Sequence, residues 1–217
     1  MSQQSLAATA AGGEGRERKS ALGRLQGISL IAAVALPIVA AYVVYHTGLG
    51  MPDGTINQGE LIQPPVDVGS ITLDERTDTG ESLSFSLDTA PPRWRYLILP
   101  DGRCESSCEN LLYTSRQVHI RLGEKSDRVE RLLLTPEPLP EERWAAIVAQ
   151  HPRLRFVTAD ASTLQTLRRN SGLVMADGPQ ALLVDQEGFA MMRYGNEHTG
   201  NQILKDIKRL LKYSYEQ

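Results

Sequence analysis

From Leu25 to Pro52 the chain carries no Asp, Glu, Lys or Arg. No other feature limits the fold so strongly. The run from Leu25 to Tyr45 reads LQGISLIAAVALPIVAAYVVY. A helix of about 20 residues rises about 30 Å, the thickness of a bilayer's hydrocarbon core. Pro37 lies inside it, which membrane helices tolerate better than soluble ones. Tyr42 and Tyr45 stand at its far end, where an interfacial aromatic belt lies. The sequence predicts a transmembrane anchor over 24–46. A cleaved signal peptide is the alternative, with Val39-Ala40-Ala41 as a small-residue cleavage site. The apolar run outlasts a signal h-region and continues past that site, which favours the anchor. A buried core helix does not suit so long an uncharged run near the chain start.

The flanking charges orient the anchor. Residues 1–24 hold Arg16, Arg18, Lys19 and Arg24 against Glu14 and Glu17, a balance of +2. The net charge is -3, so the remainder carries -5. Positive flanks stay in the cytoplasm. The expectation is a single-pass protein of the inner membrane, with its C-terminal domain in the periplasm. Lys+Arg (23) nearly balance Asp+Glu (26), without the basic excess that a nucleic-acid partner requires. The 41% hydrophobic content excludes a disordered chain, and two cysteines cannot make a disulfide scaffold. Walker, dinucleotide, zinc and Ser-His-Asp patterns are missing from the sequence.

Beyond the anchor the residue pattern changes. Residues 1–23 are rich in Ser, Gln, Ala and Gly and read as a disordered tail. Glycines and prolines crowd 46–68, which reads as a linker or an extended arm on the domain. The globular pattern starts at 69. Strands are expected over 70–74, 83–87, 94–99, 128–135 and 154–158, by alternation or by short apolar runs. Helices are expected over 107–122, from Glu141 onward, and over 162–169, capped by Asp160 or Ser162. A hairpin of 181–184 and 189–194 turns at Asp185 to Gly188. An amphipathic helix over 202–213 closes the chain, with Ile203, Ile207, Leu210 and Leu211 at helical spacing. This order predicts an α/β fold with helices on both faces of a mixed sheet and the hairpin at its edge.

Cys104 and Cys108 lie in RCESSCEN, between a buried strand and the expected start of a helix. Spacing i, i+4 at a helix N-terminus puts both sulfurs on one face, with Cα atoms near 6 Å, within disulfide range. The helix dipole lowers thiol pKa there, and two soft thiolates suit Cu(I). Glu105 and Glu109 oppose thiolate formation by repulsion, while Arg103 favours it. A structural bridge is the plain alternative, though a loop this short contributes comparatively little stability.

These features resemble the thioredoxin superfamily, and more narrowly the Sco/SenC group of membrane-anchored cytochrome c oxidase assembly proteins. The resemblance spans about residues 70–213. It rests on the anchor, the strand before the Cys-x-x-x-Cys loop, LLLTPEPLPEE, the hairpin LLVDQEG and the last helix. It implies a thioredoxin-like fold, with Cys104 and Cys108 as redox thiols and ligands for Cu(I). The implied partner is an oxidase subunit or another assembly factor on the outer membrane face. The loop departs from the family by having Glu after each cysteine where the family favours Pro nearby. A larger departure is Gly178, in Ala176-Asp177-Gly178-Pro179, at the place of the family's third copper ligand, a histidine. Gly178-Pro179 resembles instead the cis Xaa-Pro that packs beside the disulfide in thioredoxin-like oxidoreductases, so Pro179 joins the candidate catalytic residues.

Of the four histidines, His46 belongs to the membrane boundary, and His119, His151 and His198 are expected in solvated or helix-end roles. His198 reaches the cysteine loop only if the fold brings it there. Lys205, Lys208, Arg209 and Lys212 read as a solvated face, and Trp94 and Trp144 as core or half-buried. Three functions fit these residues: an oxidase assembly factor, a thiol-disulfide oxidoreductase, and a binding module with a structural bridge.

Overall fold

The apolar run of the N-terminal segment winds into one helix, α1 (Glu14–Thr47). This is a computed structural model, which describes residues 14–48, 56–77, 79–102 and 104–214. Its stretch Gln26–Thr47, with mean hydropathy 2.4, is long and apolar enough to cross a membrane. The helix starts at Glu14 rather than at 24, because Arg, Glu, Lys, Ala and Leu between are good helix formers. The expected disordered tail is thus shortened, and its first 13 residues lie outside the described part. A separate compact unit runs from Ile56 to Gln217.

Among its described residues that unit contains eight strands: β1 (Glu60–Asp67), β2 (Thr72–Arg76), β3 (Ser82–Ser86), β4 (Trp94–Leu99), β5 (Val129–Thr135), β6 (Leu154–Thr158), β7 (Gln180–Val184) and β8 (Phe189–Tyr194). Four helices join them: α2 (Ser106–Arg121), α3 (Glu141–Gln150), α4 (Ala161–Asn170) and α5 (Gly200–Tyr213). The sheet order is β1-β8-β7-β4-β5-β6-β2-β3. β4, β5 and β6 run parallel, while β7 joins β4 antiparallel, so the sheet is mixed as expected. The hairpin β7–β8 is not the edge: β1 covers β8. β1 falls within the stretch read as a linker. It joins the sheet because its backbone groups pair with those of β8, so the unit begins at 56 and not at 69. The opposite edge is β3, whose Leu83 stays 55% exposed, so this strand is less buried than its alternation suggested.

Alternate residues of the central strands feed two cores. Trp94, Tyr96 and Ile98 face one core with Val129, Leu133, α2 and α5. Leu97, Leu99, Leu132 and Leu134 face the other with α4. The tight turn of β7–β8 depends on Asp185 and Gly188. Asp185 Oδ1 accepts from the Glu187 and Phe189 amides at 3.0 and 2.8 Å. Gly188 has φ +90, and a Cβ there would lie 2.8 Å from Gly69 Cα. Asp160 caps α4, accepting from the Ser162 and Thr163 amides.

Asp206 on α5 joins β1's entry to the body of the unit. It is 3% exposed and accepts from the Gln58 amide (2.9 Å), the Gly59 amide (2.9 Å) and the Tyr194 hydroxyl (3.1 Å). Asp206→Ala leaves these buried donors without their acceptor. We expect a loss of about 3 kcal/mol in urea unfolding, with Asp206→Asn costing less.

His119 and His151 are buried rather than solvated, at 7% and 5% exposure, although both stand at helix ends. Burial and then Arg131 lower the pKa of both; Arg116 adds to the effect at His151, which falls to about 4. Both rings are therefore neutral when folded at neutral pH. An unfolded histidine titrates near about 6.5, so the unfolded chain binds more protons below that value. Stability is fully present above about pH 6.5 and falls as pH drops toward 4. Urea midpoints at pH 7 and pH 5 measure this fall, and His151→Leu is expected to shrink it.

Candidate functional site

The site is built where the central strand ends. β4 is buried along its whole length, so the chain must leave the sheet at Leu99 and turn back over it. Pro100, Asp101 and Gly102 make that turn, and α2 begins at Ser106. Between them lies Cys104, with φ 58, a left-handed backbone conformation that non-glycine residues seldom adopt. Cys108 falls in the first turn of α2. The two form a disulfide with Cα atoms 4.9 Å apart. Cys104 is off the helix, so the pair is closer than the helical i, i+4 spacing implies. Glu105 takes the N-cap position but makes no side-chain cap.

Both cysteines are 0% exposed, so exposure does not distinguish one of them as an attacking sulfur. What covers and holds the loop is a residue that sequence reasoning missed. Arg143, on α3, donates Nη1 to Glu109 Oε1 at 2.6 Å and Nη2 to the Cys104 carbonyl. It neutralises one of the two carboxylates expected to oppose a thiolate and fastens the Cys104 backbone to α3. Its distance in sequence hides it; only the parallel pairing of β4 with β5 brings α3 beside the loop. Glu105 remains exposed. Arg103 lies outside the described residues.

Two further segments border the start of α2. Asp101 Oδ2 accepts from Ser107 Oγ at 3.1 Å, and a Cβ on Gly178 would stand 4.0 Å from that same oxygen. Gln180 pairs with Leu99, so Gly178 and Pro179 lie next to the loop that carries the cysteines. The expected cis bond is not there: among the described residues the cis peptide is Gln63–Pro64, and Gly178–Pro179 is trans. Gly178 itself turns the chain, with φ +83, from the short helical turn Met175–Asp177 into β7. Asn196 Nδ2 donates to the Ser107 carbonyl at 3.0 Å, placing the turn after β8 against α2 as well.

That turn carries His198, whose ring packs edge-on to Tyr194 with centroids 5.3 Å apart. Its Nδ1 lies 3.1 Å from the Gly195 amide and 2.7 Å from Glu197 Oε1. These contacts commit Nδ1 to its own turn. Among the described residues no group of three His, Cys, Asp or Glu side chains is arranged to hold a metal ion. Reduced, the sulfur pair offers two thiolates to a soft cation such as Cu(I).

If Arg143 fastens the loop over the sulfurs, Arg143→Ala exposes them. Thiolate attack on a disulfide depends on access. We expect dithiothreitol to reduce the variant several-fold faster than the wild type, read by quenched alkylation, with β-sheet content unchanged.

Comparison with known proteins places this geometry. A family model described as "Transmembrane-like, thioredoxin-like, C-terminal domain" matches residues 94–214. No curated protein matches the chain. Among solved structures, ScoI of Arabidopsis thaliana with copper bound is 16% identical with a TM-score of 0.51, covering 70% of this chain and 99% of its own. Yeast Sco1 with copper bound is 13% identical with a TM-score of 0.53, covering 75% and 97%. Apo Sco1 of Thermus thermophilus is 16% identical with a TM-score of 0.52, covering 72% and 99%. At such identities the likeness is one of fold, the thioredoxin-like fold of the Sco/SenC proteins. With more than half its length matched by the family model, the chain belongs to the family of the transmembrane-like, thioredoxin-like C-terminal domain.

Proposed function

We propose that this protein is a membrane-anchored, Sco-like factor of respiratory oxidase assembly whose Cys104–Cys108 pair exchanges electrons with a partner on the outer membrane face. The anchor is residues 24–46, and the positive flank sets the domain in the periplasm. The observation that carries the reading is the disulfide itself. It closes a loop of five residues at the end of the central strand, with Cys104 at φ 58. Loop-closure entropy gives so small a ring about 2 kcal/mol, less than a bridge placed to staple distant segments. A positive φ at a non-glycine residue itself costs about 1 kcal/mol or more, and such residues gather at functional sites.

The exchange is reversible and balances on two sulfurs. A thiolate of the reduced pair attacks a partner disulfide, forming a mixed disulfide and releasing one partner thiolate. The second cysteine then attacks the mixed bond, closing Cys104–Cys108 and releasing the other partner thiolate. Two electrons pass to the partner. In the opposite direction the closed pair accepts two electrons from a partner dithiol. Gly178 and Pro179 border the loop without taking part in bond making.

Copper enters this proposal as cargo. Two of the similar structures hold copper, and the reduced pair offers Cu(I) two thiolates. Retention by two sulfurs, without a third ligand, favours brief holding over storage.

The full chain in detergent micelles tests both parts. Titration in glutathione buffers is expected to give a potential well above about -300 mV; a pair that stays oxidised below that value is a structural bridge. Cu(I) is expected to bind the reduced chain at one equivalent and to be lost in Cys104→Ser. In cells, Cys104→Ser/Cys108→Ser is expected to lower oxidase assembly with the protein still folded. Unchanged assembly refutes the proposal.

A further inference from the structure

Two arginines are buried in the central strands, and their surroundings are opposite. Arg95, 0% exposed, donates Nε to Glu130 (3.0 Å), Nη1 to the Arg93 carbonyl (3.2 Å) and Nη2 to the Pro91 carbonyl (2.6 Å). Arg131, 2% exposed, has neither Nε nor Nη1 hydrogen-bonded. Its charged neighbours are Arg116 on α2 and Arg153 before β6, both cations, and with burial they lower its pKa to about 10. An isolated buried charge is among the costliest arrangements in a protein interior unless something pairs with it.

The surroundings are built consistently for an anion. Val129 and Leu133 face the core beneath α2 and α3, so Arg131, between them on β5, faces it too. His119 Nε2 lies 2.9 Å from the Val129 carbonyl, which sets that ring over the strand beside Arg131. Leu154 pairs with Arg131, and its amide donates to the His151 carbonyl at 2.9 Å, which brings His151 to the same place. His151 Nδ1 is likewise buried with no partner. Glu109, the carboxylate that bears on His151, is taken by Arg143 at 2.6 Å. At the rim Arg116 is half-buried, and the Arg153 side chain is 64% exposed beside Asp127.

We propose that Arg131, with His151 and Arg116, forms an anion-binding site in the seam between α2, α3 and the start of β6, taking a small oxyanion that accepts from the guanidinium. Free N–H groups on a buried guanidinium suit the acceptor oxygens of a carboxylate or phosphate. The site is separate from the disulfide and does not depend on the redox reading.

The test is thermal unfolding of the full chain in detergent micelles, in chloride, in inorganic phosphate and in acetate at one ionic strength. An anion that binds only the folded chain raises its melting midpoint with saturation. Phosphate, acetate or both are expected to do so; a rise with phosphate alone assigns a tetrahedral ligand, and one with acetate assigns a carboxylate. Arg131→Met is expected to melt in chloride no lower than the wild type and to show no response to either anion. Arg116→Gln, at the rim, keeps Arg131 and is expected to bind about tenfold more weakly, as loss of one charge-assisted contact predicts. No anion response in the wild type overturns the proposal, as does an undiminished response in either variant.

Discussion

The burial of β4 on both faces is the constraint on which the functional end of this protein depends. A strand flanked by β5 and β7, with cores above and below, has no freedom to shift or fray. Its last residue therefore fixes where the chain must turn, and the turn delivers Cys104 and Cys108 to the start of α2. Between that strand and that helix, Cys104 stands in a left-handed backbone conformation.

The loop is then held from three directions by polar contacts of modest strength. Arg143 reaches it from α3, Asp101 ties the turn to Ser107, and Asn196 reaches it from the turn after β8. Arg143 and Glu109 are both partly open to water, so their ion pair is weak enough to break. The sulfurs thus lie buried in a loop whose latch can break. Asp206 plays a comparable part, where three donors converge on one buried carboxylate and seat the chain entering β1.

Much of this was legible in the residues. Short, largely apolar runs marked β4 and β6 to the residue, although Arg95 and Arg155 interrupt them and only β4 is buried throughout. The cysteine spacing, between a strand and a helix, marked the site. Other features were not legible, for identifiable reasons. β1 contains two prolines, which argue against a strand, and it forms because β8 offers an edge. The hairpin read as an edge for the same reason, its neighbour being unseen. Gly178-Pro179 looked like a cis turn, but a glycine at positive φ makes the reversal without one. His119 and His151 looked like surface residues because nothing local marks a histidine for burial.

By itself the sequence determined the local matters: the uncharged span, the strand and helix periods, the cap at Asp160, and a cysteine pair close enough to bond. Each follows from interactions within a few residues. Only the tertiary structure decided which distant groups meet. It set Arg143 on the Cys104 carbonyl, left both sulfurs buried, gave Arg95 its acceptors and left Nε and Nη1 of Arg131 without one. These depend on strand order and on desolvation, and neither is a property of neighbours along the chain.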